Sequence, residues 1–157
     1  MKALLAVACS LSVAVFSHAQ NSPSDIELRA SYCIPVVQAA IRLNTDMLAQ
    51  LAGSTNETDH LASASLEESR SKSDSDLRRL QAYALPKLAG HAADDYVLGF
   101  AAAAQRGKAD LEGSMRAVNS CSKTCGAFGL QCVQSCVARE PANQRVAVCH
   151  SLDWLPF

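Results

Sequence analysis

Apolar residues recur at helical spacing along most of the chain, and strand-like alternation persists nowhere. Cys33, Val37, Ala40, Ile41, Met47, Leu48 and Leu51 share one face of a first long pattern. Ser24 and Glu27, three residues apart, form the capping box that would open it. Pro35 lies inside this pattern and predicts a kink or a division, and Gly53 predicts its end. Residues 53–76 then turn polar, with Ser63, Ser65, Ser69, Ser71, Ser73 and Ser75 interleaved with charged residues. Such a stretch suits a mobile loop or a weak helix over residues 60–71. Helical spacing resumes over residues 76–89 with Leu77, Leu80 and Ala84 inward; Pro86 predicts an interruption and Gly90 an end.

The most regular helix starts at Asp94-Asp95, turns Val97, Phe100, Ala101 and Ala104 inward, and stops at Gly107. Asp110 is placed to cap the next one, whose face carries Leu111, Met115, Val118, Cys121 and Cys125. Beyond Gly126 and Gly129 the pattern returns with Leu130, Cys132, Val133, Cys136 and Val137. Pro141 suits the first turn of a last helix over residues 142–151. The fold expected is all-α, a compact bundle of about five to seven helices with a C-terminal helical hairpin.

The N-terminus decides how the cysteines are read. Lys2, an apolar run over residues 3–16 and the small residues Ser17 and Ala19 make a secretory signal, cleaved after Ala19. The run is shorter than the roughly 20 apolar residues a spanning helix needs. A lipoprotein reading would use Cys9, but too little chain precedes it for a normal signal. Residues 20–157 then form one disulfide-stabilised helical domain, exported to a periplasmic or extracellular space.

This mature chain keeps Cys33, Cys121, Cys125, Cys132, Cys136 and Cys149, an even set that export favours as disulfides. Cysteines four apart project from one helix face about 6 Å from each other. Two such pairs flanking a glycine-bounded turn therefore bond in antiparallel register: Cys125–Cys132 nearest the turn and Cys121–Cys136 one turn out. Cys33–Cys149 is what remains. The arrangement resembles, in outline, twin-cysteine helical hairpins, with a shorter spacing between the pairs, and no function is carried over from it. A four-cysteine zinc site is the weaker reading, because zinc ribbons favour Cys-x2-Cys and export favours oxidation.

Charge and motifs narrow the function without naming it. Loss of Lys2 from 14 basic residues leaves 13 against 15 acidic, a formal charge of −2. Nothing in that balance attracts nucleic acid or an anionic membrane. No nucleophile elbow, zincin helix, phosphate-binding loop, dinucleotide fingerprint or Cys-x-x-Cys redox motif occurs. No cofactor or metal is expected, and the chain reads as non-enzymatic.

His91 with Asp94 and Asp95 could present metal ligands on one helix face, but aspartates at a helix start serve the helix dipole anyway. An enzyme built on dispersed acids would have to rest on this pair. Asn56-Glu57-Thr58 matches a glycosylation sequon, a triplet common by chance.

Trp154, Leu155 and Phe157 form an apolar tail, expected to pack over the helix ends and, as the alternative, to anchor a partner. The function expected is an exported interaction protein, such as an inhibitor or immunity-type binder of an envelope enzyme or toxin. The alternative is a carrier of a small apolar ligand, although the cysteine spacing differs from that of odorant-binding and lipid-transfer families.

Overall fold

The structure, a computed structural model, describes residues 22–89, 91, 95–126 and 129–156. The expected signal sequence, together with Cys9, Asp94, Phe157 and the tip of the turn between the cysteine pairs, lies outside the described residues. Among these residues five α-helices follow in order: α1 Asp25–Leu51, α2 Glu57–Leu88, α3 Asp95–Cys125, α4 Gly129–Ala138 and α5 Pro141–Val146. A short 3-10 turn, Ala147–Cys149, and an irregular tail complete the chain. Among the described residues there is no strand.

Helix α1 starts where the capping box places it. The Ser24 amide donates to Glu27 Oε2 at 2.7 Å and the Glu27 amide to Ser24 Oγ at 3.4 Å. Gly53, at φ +89°, lets the chain turn out of α1 in a conformation that side chains with a Cβ rarely adopt.

Pro35 does not divide α1, and the reason lies in its neighbours. It packs at the crossing of α1 with α3, beside Gly107. A Cβ added to Gly107 would lie 2.1 Å from the Tyr32 carbonyl oxygen, so only glycine permits the two backbones to approach this closely. Gly107 is thus a packing residue inside α3, not a helix terminator, and α3 runs unbroken from Asp95 to Cys125. Asp110 correspondingly caps nothing. Its carboxylate is engaged by other elements, as described below.

The serine-rich stretch is also corrected. It is helical, as expected over residues 60–71, but the helix is longer: it forms the first half of α2, which continues to Leu88. Asn56 caps it by accepting from the Thr58 amide at 3.0 Å. α1 supplies the apolar partner that a polar helix of this length needs, and the two helices pair extensively. Asn44 Nδ2 on α1 donates to Ser69 Oγ on α2 at 3.0 Å. Pro86 falls in the last turn of α2 and does not interrupt it. The last helix is shorter than expected, since the chain tightens into the 3-10 turn after Val146.

α1 is central. It packs against α2 and α3, while α3 also carries α4 and α5. The buried core joins Cys33, Val36 and Val37 of α1, Leu80 and Ala84 of α2, and Tyr96 and Phe100 of α3. Val146, Cys149, Leu152 and Leu155 close it from the C-terminal side.

Three disulfides cross-link the elements. Cys33–Cys149 ties α1 to the 3-10 turn, with Cα atoms 5.3 Å apart. Cys121–Cys136 and Cys125–Cys132 join α3 to α4, with Cα separations of 5.8 and 5.7 Å. The turn between them uses positive φ at Gly126 (+42°) and Gly129 (+78°).

Candidate binding site

Two polar clusters fasten the helices to one another before any site is formed. In the first, Glu27, almost fully buried, receives Lys87 Nζ at 2.9 Å and the Ser24 amide at 2.7 Å. Burial alone would raise its carboxyl. The donors from Lys87, Ser24 and Tyr96 outweigh that and hold it down at about 2. Beside it the His91 ring stacks on Tyr96, centroids 3.8 Å apart.

In the second cluster, Arg145 grips Asp110 through two bonds of 2.9 and 2.7 Å, and the Tyr32 hydroxyl donates to the same carboxylate at 3.0 Å. The Arg145 guanidinium holds the Asp110 carboxyl below its usual range. Burial, and then the bond to Asp110, pushes the Tyr32 hydroxyl up to about 12. Both clusters are saturated with partners, which suits fasteners better than reactive centres.

α2 and α3 lie on either side of α1, and their backbones rarely approach each other. Between them opens a trough of about 400 Å³. Val36, Val37, Ala40 and Leu43 of α1 form its floor, and Leu111 and Met115 of α3 one wall. Val146 and Cys149 close the inner end, with His150 at the edge. The opposite wall belongs to α2 and carries Ser69, Lys72, Ser73 and Asp76. Those positions lie three, four and seven residues apart, a single stripe of a helix. The trough is therefore apolar on three sides and polar on the fourth.

Apolar residues continue past its mouth. Leu43 and Met115 are 58% and 52% exposed, and Met47 and Val118, one turn further along the same faces, are each 41% exposed. Sequence periodicity places Met47, Met115 and Val118 inward; the structure leaves all three open to solvent, because no helix covers the space between α2 and α3. A second apolar depression of about 240 Å³ lies across α1, between Leu85, Leu88, Val97 and Ala104. Its one hydroxyl, that of Ser31, is already donated to the Phe100 carbonyl at 2.7 Å.

Trp154 and Leu155 of the tail lie elsewhere. Leu155 is buried in the core and Trp154 packs against it. Trp154 Nε1 donates to the Ser151 carbonyl at 2.8 Å, and the Arg29 guanidinium stands 4.7 Å from the indole centroid. Asp95 is exposed at the start of α3. Among the described residues no group of three or more His, Cys, Asp or Glu could hold a metal ion. Also among them, no helix is long and apolar enough to cross a membrane.

Sequence reasoning reached Val37, Ala40, Leu111 and Met115 as apolar faces but missed the α2 wall. The signal was present, since Ser69, Lys72, Ser73 and Asp76 recur at helical spacing, but it emerges only once the serine-rich stretch is known to be helical. Comparison of the chain with family models, with curated proteins and with solved structures yields no match.

Proposed function

We propose that this chain is an exported, non-enzymatic binding protein and that the trough between α1, α2 and α3 holds its ligand, a small, largely apolar molecule. The observation that carries the reading is the trough itself. Its volume of about 400 Å³ falls in the range of roughly 300–1,000 Å³ typical of small-molecule sites. Cys149, half of the bond that links residues 116 apart in sequence, lies in its lining, so the inner end of the cavity is tied covalently to α1. Three disulfides accord with an oxidising compartment, as the N-terminal sequence suggests.

The experiment is native mass spectrometry on the mature protein gently isolated from its exported fraction. A small-molecule adduct is expected, and it should be lost in an Ala40→Trp variant that fills the floor. A bare chain that also takes up no apolar probe would overturn the reading.

The partner-protein reading, an inhibitor or immunity-type binder, retains one observation in its favour. The exposed Leu43, Met47, Met115 and Val118 make an apolar lip of the kind that receives an amphipathic helix. A co-purifying protein, with no small adduct, would move that reading ahead. That reading rests on the lip rather than on Trp154 and Leu155, which pack in and against the core.

A further inference from the structure

We propose that the occupant is a single-chain amphiphile with an anionic head, a medium-chain carboxylate, whose head is held by Lys72 and the hydroxyls of Ser69 and Ser73. This rests on the trough being a ligand site and adds which chemistry it selects. The body of the ligand follows from size. A cavity of about 150 Å³ accommodates benzene, so about 400 Å³ accommodates on the order of 16 non-hydrogen atoms. Apart from His150 at the edge, the side chains of the other three sides are apolar and suit such a body.

The head follows from the α2 wall. Lys72 is an exposed residue that lines the trough, and among the described residues it has no carboxylate within ion-pair distance. Ser69 Oγ accepts from Asn44, which leaves its own hydrogen free to donate. Ser73, on the same wall, supplies a second hydroxyl. One ammonium and two hydroxyls, one turn apart on one helix, make a donor set suited to a carboxylate.

Asp76 sets the direction. It lies at the inner end of the stripe, one turn before the buried Leu80, where its carboxylate, paired with Arg79 only at 3.8 Å, offers an anion no donor. The head therefore sits at the outer end, by Ser69 and Lys72, and the apolar chain runs inward to Val146 and Cys149. The second depression, across α1, has no comparable donors and would show no such preference.

The test is calorimetric titration of the mature, oxidised chain with decanoate, 1-decanol and decylammonium below micelle-forming concentrations. Decanoate should bind one to one, at least tenfold more tightly than decanol, with decylammonium weakest. Lys72→Gln, at an exposed position that leaves folding intact, should bring decanoate to the level of decanol and leave decanol unchanged. Equal binding of acid and alcohol, or a preference that survives Lys72→Gln, would overturn the head-group assignment while the trough reading stands. Failure of all three probes to bind would remove the trough reading itself, and this inference with it.

Discussion

At the scale of single residues, Glu27 shows how a sequence signal can understate a role. The capping box is readable from Ser24 and Glu27 alone, but the same carboxylate also receives Lys87 from the end of α2 and Tyr96 from the start of α3. Its folded value of about 2 lies below the ordinary 4.5, so its stabilisation is fully present above about 4.5. That stabilisation is lost as pH falls from there toward 2. Lys87 is 40% exposed, so screening reduces the contribution to on the order of 1–2 kcal/mol. Glu27→Gln should therefore lower the melting temperature at pH 7 and have little effect near pH 2; an equal loss at both would rule out the ion pair as the cause.

The tail makes a second test at this scale. Leu155, buried in the core, should cost about 2–3 kcal/mol when changed to Ala in denaturant titrations. An unchanged midpoint would return Leu155 to the role of partner anchor. The six cysteines were the most legible residues, since four-residue spacing and a glycine-bounded turn leave few geometries to choose among. Lys72 and Ser69 were not legible, because their meaning depends on which helix faces them.

At the scale of elements, some local breakers end helices, as Gly53 does, while others serve packing instead. Gly107 and Asp110 look like a helix end followed by a cap, and Pro35 like a kink. In the fold all three serve one crossing: Pro35 and Gly107 pack together, and Asp110 ties Tyr32 of α1 to Arg145 of α5. Tertiary contact overrides propensity here, as it does for the serine-rich half of α2.

The crossing is directly testable. Gly107→Ala places a methyl 2.1 Å from the Tyr32 carbonyl oxygen, a backbone atom that cannot swing away, and should destabilise by about 3 kcal/mol or more. A stability within experimental error of the parent would mean that α1 and α3 do not cross so closely. For α2 the cap is the weak point. Asn56→Ala should cost about 1 kcal/mol and show first as faster amide exchange in the opening turns of α2, before any change near Leu80.

At the scale of the whole molecule, the disulfides divide the labour unequally, and the division predicts both stability and binding. Cys33–Cys149 closes 116 residues, Cys121–Cys136 closes 15 and Cys125–Cys132 closes 7. In the chain-entropy account the first restricts the unfolded state by about 5 kcal/mol and the second by about 3. The pairs also differ in what they hold. The two bonds between α3 and α4 secure the far end of α3, while Cys33–Cys149 fixes the 3-10 turn against α1 at the closed end of the trough.

Replacing Cys33 and Cys149 by Ala should lower the melting temperature more than replacing Cys121 and Cys136. It should also weaken decanoate binding, because Val146 and Cys149 then no longer hold the inner end shut. Replacing Cys125 and Cys132 should leave that binding within about twofold of the parent, since neither residue lines the trough. Parallel thermal melts and titrations on the three double variants separate the outcomes. If binding fell in step with stability across all three, the trough would be a passive consequence of folding. If only the Cys33–Cys149 variant lost it, that bond would be what shapes the cavity.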